Sequence, residues 1–292
     1  VERLNNADAA AAWLVADAEA NSGSYTAGNE ADLIFALAAT YGDEGVARDA
    51  LARLETKTPG YAFPAPSFTN YGALAKVMLA VQVLRGDVND FAGRDLEASL
   101  RAGMLTTGAD AGRFTNTTTF TQPLAISALA RTPGGVPAAA GAWLVSKQCP
   151  DGGFSWGACN QADADYTGVA AQALRAVDQP AALDASIGWL LDNQREDGGF
   201  HASNAPTVSN TNSTGLAVAA LRGGATSNHD ADEVVAAAIA GSDHVASVQY
   251  TEGEDAGAIP WQAGVPSSLF LATTQGVLGW GSGPIQHLAF PQ

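Results

Sequence analysis

Two kinds of helical pattern alternate along the chain. In "PAAAGAWLVSKQ" (137–148) and "AALDASIGWLLDNQR" (181–195), apolar residues fall on one stripe and polar residues on the other. That is the pattern of a half-exposed helix. Between them lie segments that are apolar on nearly every face: 31–40, 70–84, 121–131, 166–177, 213–222 and 267–280. A helix that is apolar all round is a buried one, and the Ala and Gly content of these segments suits close packing. No stretch alternates with period two, so no half-wet sheet is expected.

The alternation repeats. "AAWLVADAEANSGSY" (11–25), "GAWLVSKQCPDGGF" (141–154) and "IGWLLDNQREDGGF" (187–200) share one frame, and Trp143 and Trp189 are 46 residues apart. Weaker copies run over 53–63, 102–114 and 245–261, each closing a helical run with Gly and an aromatic or apolar residue. A repeat of this length is the mark of a helical array. Six outer helices alternating with six inner helices give an all-α fold, a closed α6/α6 toroid, over a single domain spanning 1–292. Asp230 and Asp232 are expected to open the sixth outer helix, and Thr167, Ser213 and Thr214 to cap inner helices. The inner-helix N-termini then converge on one face. Their free N–H groups and partial positive charge make it the expected functional face.

Charge narrows the partners. Fourteen Lys and Arg stand against 30 Asp and Glu, for a net charge of −16, and only Lys57, Lys76 and Lys147 are lysines. Such a surface repels nucleic acid and anionic lipid. No apolar run is long enough to span a membrane. The chain starts at Val1, which reads as a mature or trimmed form. Cys149 and Cys159 flank a Gly-Gly turn, with no His nearby to complete a zinc site. A local disulfide is expected, and with it an oxidising, extracellular or cell-surface location. Two reduced buried thiols are the alternative.

The turns "KQCPDGGFSW" and "NQREDGGFHA" resemble the QW motifs of the terpene cyclase and protein prenyltransferase toroids. The resemblance implies that Gln148 and Gln194 brace helix ends and that Trp143 and Trp189 are packing residues. Three branches of that superfamily can be compared. The zinc prenyltransferases match at Asp163, but Asp165 stands for their Cys ligand and Ser213 for their His. That set does not hold zinc, and no metal is expected. The class II terpene cyclases use an Asp-x-Asp-Asp-Thr motif whose middle Asp is a general acid. "DADYT" (163–167) resembles it, with Tyr166 replacing the last Asp, and implies Asp165 as acid and Asp163 as its partner.

The third branch is the cobalamin carriers, the transcobalamin and intrinsic factor family. "SNTNSTGLAVAAL" (209–221), "TTQGVLG" (273–279) and "TFTQPLAISAL" (119–129) resemble their ligand-contacting segments. The resemblance implies contacts from Asn210, Gln275 and Gln122, with Asn212 in place of a Tyr and Asp165 one residue displaced. Tyr71 and Tyr166 join the ligand-binding candidates at inner-helix starts. Amides around a rim suit a corrin ring. The family's long-range disulfides and closing β domain have no counterpart here.

The leading expectation is therefore a secreted or cell-surface, monomeric binding protein that holds a small molecule, such as cobalamin, at the inner-helix rim. A class II terpene cyclase-like enzyme and a non-catalytic interaction domain are the alternatives. Each rim residue also has a plain reading, since Asp163, Asp165, Asn210, Asn212 and Ser213 all suit helix capping. His201, His229 and His244 sit near loops or the outer layer, and "FTNTTTFTQ" (114–122) is a glycan or peptide surface or simply a solvated loop.

Overall fold

The computed structural model describes residues 2–291. Its helices alternate in pairs, the first of each pair outer and the second inner. They are α1 (Glu2–Asn21) and α2 (Ala27–Thr40), α3 (Glu44–Ala62) and α4 (Tyr71–Val83), α5 (Leu96–Ala102) and α6 (Thr121–Ala130). The second half continues with α7 (Ala138–Val145) and α8 (Ala164–Ala176), α9 (Pro180–Asn193) and α10 (Thr211–Leu221), α11 (Ala231–Val248) and α12 (Leu269–Gly276). Among the described residues there are only isolated β-bridges. The inner helices form a closed ring, each touching the next and α12 returning to α2. This is the α6/α6 toroid.

The inner helices are apolar all round because each is covered on every side, by two inner neighbours and by outer helices. Gly215 shows how close they come: a Cβ there would lie 2.0 Å from the Gln275 carbonyl oxygen. The inner starts are capped by Thr26, Asn70, Asp163 and Asn210, each side chain accepting from a backbone N–H of the first turn. Such a cap contributes about 1 kcal/mol. Thr167 and Thr214 are not the caps. Their hydroxyls lie one turn into the helix and accept from the N–H of Phe154 and Phe200, tying each turn to its inner helix. Thr273 does the same for Ile259.

The turns carry the joints between repeats. Gln148 donates to the carbonyls of Gly152 and of Ala182 on α9, and Gln194 to those of Gly198 and of Ala237 on α11. Gln249 makes the same pair of bonds, to Gly257 and to Asn6 on α1, which joins the last repeat to the first. The tryptophans reach back: Trp189 donates to Asp151, Trp143 to Asp110, and Trp13 to Asp255 across the closure. Gly152 and Gly198 sit at φ +93° and +79°, and a Cβ would lie 2.3 and 2.5 Å from a carbonyl oxygen of the next outer helix. Only glycine fits there.

At the far end each inner helix from α4 to α10 finishes with an arginine: Arg85, Arg131, Arg175 and Arg222. They bind the carbonyls of Phe290, Leu288, Gly224 and Gly279 in turn. Two of those carbonyls belong to the C-terminal segment, which also bonds to Gln172 through the Ile285 N–H and the Gln286 amide. The segment lies across that end of the ring. No described helix is long and apolar enough to cross a membrane.

Candidate active site

The open end of the ring leads into a cavity of about 360 Å³, at the small end of ligand pockets, which run to roughly 300–1,000 Å³. Its walls follow from helix geometry. Residues at i, i+4 and i+7 share one face of a helix, and the inward face of each inner helix can be read that way. Helix α8 contributes Val169 and Gln172 to the wall, and α10 contributes Leu216 and Ala219; by helix spacing Asp165 and Asn212 stand one turn above them, at the helix starts. The equivalent positions are Gly28 on α2, Gly72 on α4, Phe120 before α6 and Leu271 on α12, of which Gly72 and Phe120 line the cavity. Below them lie Asp32, Lys76, Leu124 and Gln275. Ile285 and Leu288 of the C-terminal segment complete the floor.

The two aspartates of "DADYT" have different fates. Asp163 is 2 % exposed and spends both oxygens on backbone, accepting from the Tyr166 N–H and from the Ser203 N–H at 3.0 Å. It is a cap that also ties the next loop. Asp165 lies two residues later, half-buried in the first turn, and its Oδ1 is buried without a hydrogen-bond partner. Burial pushes its pKa up to about 6; the Ser213 hydroxyl opposes this, and the Asp163 charge adds to it. A carboxyl in that range still holds its proton about a tenth of the time at pH 7, far more than an ordinary carboxylate does. Tyr166 packs edge-on to Phe120, ring centroids 5.6 Å apart, and burial raises its pKa too.

The other candidates divide. Asn210 caps α10 and bonds to Ser213 through both ends of its amide. Gln122 accepts from the Phe114 N–H and the Thr117 hydroxyl and donates to Gly112. Both amides are consumed by the fold. Asn212 does reach the cavity wall, donating to Gln275 Oε1 at 2.7 Å, and its own Oδ1 is buried without a partner. Tyr71 is elsewhere, in a shallow groove with Phe63, Pro64 and Arg94. Cys149 and Cys159 form a disulfide. Its loop meets the rim where the Thr119 hydroxyl donates to Ser155. Among the described residues no three His, Cys, Asp or Glu are grouped to hold a metal.

The pattern reading missed Asp32, Lys76, Tyr61 and Gln172, which all line the cavity. A signal was present: Lys76 is the single charge inside α4, and Asp32 is one of two charges, with Glu30, inside α2.

No protein-family model matches the sequence, and no curated protein matches it. Solved structures do. Type II terpene cyclase MstE from Scytonema superposes with a TM-score of 0.65 at 13% identity, over 96% of this chain and 97% of that one. The toroid is that of the terpene cyclases and prenyltransferases. A single-residue variant of the same cyclase, in complex with its product, merosterolic acid A, gives 0.63 at 15% identity over 96% of both chains. Candida albicans protein geranylgeranyltransferase-I complexed with GGPP gives 0.61 at 12%, over 92% of this chain and 90% of that one. The ent-copalyl diphosphate synthase from Streptomyces platensis gives 0.57 at 19%, over 88% of this chain, which spans about half the length of that enzyme.

These likenesses overturn the leading expectation of a cobalamin-type binding protein. The neighbours are cyclases and a prenyltransferase, and the geometry agrees. Of the rim amides that would have met a corrin, Asn210 and Gln122 hold the fold, and Asn212 donates to Gln275.

Proposed function

We propose that the protein is a class II terpene cyclase-like enzyme in which Asp165 protonates an alkene of an isoprenoid bound in the ring. The observation that carries this is Asp165 itself, a carboxyl with an unpartnered buried oxygen and a pKa raised to about 6, one helical turn before Val169, which lines the cavity. Asp163 is its neighbour and positions it by fixing the helix start. The likeness in fold to type II cyclases supports the reading.

The chemistry follows from the walls. The protonated Asp165 gives its proton to the less substituted carbon of a trisubstituted alkene, and the positive charge appears on the more substituted one. A second alkene of the same chain closes onto that carbon, and loss of a proton ends the reaction, so no net atoms are gained. Leu124, Val169, Leu216 and Leu278 offer the cation no nucleophile. Phe35 and Phe120 present ring faces or edges nearby, and a ring face attracts a cation. The Ser213 hydroxyl favours the carboxylate that remains. Asp165 is only half-buried, so it can recover its proton from solvent at the rim.

The Cys149–Cys159 disulfide supports an oxidising setting outside the cytoplasm. Ring closure leaves no open repeat end to pair with a second copy, which supports a working monomer.

The test is turnover of polyprenyl substrates by wild type and by Asp165→Asn. The amide keeps the shape but has no proton to give, so turnover should fall by about 10²–10⁴-fold with binding retained. Unchanged turnover in Asp165→Asn would end this reading.

A further inference from the structure

One wall of the cavity is not explained by a proton donor and an apolar lining. Lys76 is the one cation among the residues lining it, and its Nζ lies 2.8 Å from the Asp32 carboxylate. Both side chains are largely buried. The pair is therefore already neutral before any ligand arrives. The Tyr61 hydroxyl converges on the same place: a Cβ added to Gly28 would lie 3.4 Å from it and 3.9 Å from Lys76 Nζ. Burial raises the Tyr61 pKa, Lys76 opposing and Asp32 adding to it, so the hydroxyl keeps its proton. Gly28 and Gly72 stand one turn above Asp32 and Lys76, at the helix position that carries Asp165 on α8, and a Cβ at Gly72 would lie 2.9 Å from Thr121.

The position matters as well as the chemistry. In the ring order α2, α4, α6, α8, α10, α12, helix α2 with Asp32 stands opposite α8 with Asp165. The polar cluster and the proton donor are thus on opposite walls. Two donors, Lys76 and Tyr61, and one acceptor, Asp32, suit an oxygen that both accepts and donates. They do not suit a diphosphate, whose two or more negative charges would enter a cavity with one cation already paired. Burying charge without counter-charge is strongly unfavourable.

We infer that the cavity selects an uncharged isoprenoid alcohol, whose hydroxyl sits on Lys76, Tyr61 and Asp32, and that it rejects the corresponding diphosphate ester. This rests on the isoprenoid reading above. It adds which end of the chain lies where: the oxygen at the α2–α4 wall, and an alkene toward Asp165.

Equilibrium binding to the purified protein decides it, using geranylgeraniol, geranylgeranyl diphosphate and an oxygen-free C20 polyene. The alcohol should bind at least about tenfold more tightly than the diphosphate. Tyr61→Phe should weaken the alcohol severalfold and leave the hydrocarbon unchanged. Lys76→Met strands the Asp32 charge, so the double variant Asp32→Asn/Lys76→Met is the second probe; it should lose the preference for the alcohol over the hydrocarbon. Diphosphate binding as tight as the alcohol, or variants that weaken alcohol and hydrocarbon alike, would overturn the inference while leaving the cavity an isoprenoid site. Binding of none of the three would overturn the isoprenoid reading and this inference with it.

Discussion

Asp163 and Asp165 are the same residue type two positions apart, and their difference is one of direction. At the cap, Asp163 turns back to collect two backbone N–H groups. Asp165 lies within the helix and turns inward, where its Oδ1 finds no donor. An acid left in that state costs stability. Its folded pKa, about 6, lies above the ordinary carboxylate value of 3.8, so the folded state holds the proton more tightly than the unfolded chain. The penalty is therefore absent below about pH 4, grows between about pH 4 and 6, and is full above that. Asp165→Asn should remove it. Urea unfolding across pH 4 to 8 should show the variant gaining about 1–3 kcal/mol over wild type as pH rises through this window. Turnover should move oppositely in wild type, falling as pH rises past about 6, because the proton to be transferred is then gone. The motif "DADYT" was legible as a pair of candidates, but which oxygen would be orphaned depended on Ser203 and Ser213, each from the following repeat and 40 or more residues away in sequence.

At the level of elements, the turn between an outer and an inner helix carries the architecture. The Gln, the Asp, the Gly at positive φ and the following Phe each make a bond or a contact that recurs around the ring. These are short-range in sequence, which is why the repeats and both helix classes could be read from the pattern alone. Gly152→Ala tests the tightest joint. The new methyl would meet the Ala185 carbonyl at 2.3 Å in a strained backbone region. A loss of about 3 kcal/mol or more is expected in chemical denaturation, and Gly198→Ala should behave alike. The disulfide adds to one turn only. Its bridge closes a short loop, with a sequence separation of 10, so Cys149→Ser should cost about 2–3 kcal/mol, and reductant should lower the wild-type melting temperature to match. The inner caps were less legible, because Asp163 and Asn210 cap while the neighbouring threonines bond outward to the turns.

The cavity belongs to the whole molecule. Lys76 and Asp32 come from different repeats, and Asp165 from a third; only closure of the ring puts them around one space. A periodic pattern shows that a helix is buried, but an inner helix is buried on every side, so the pattern does not say which side faces the centre. The floor is equally non-local, since the C-terminal segment is held by Arg85 and Arg131, about 160–205 residues away in sequence. Closure itself rests on Trp13 with Asp255 and Gln249 with Asn6, across more than 240 residues.

Reaction in D₂O tests the account most directly. With geranylgeraniol as substrate, a cyclic product made by proton transfer from Asp165 carries one deuterium from solvent, seen as a one-unit mass increase, and Asp165→Asn makes none of it. A cyclic product without deuterium, or a deuterated product formed as fast by Asp165→Asn as by wild type, would contradict the assignment of Asp165 as the acid.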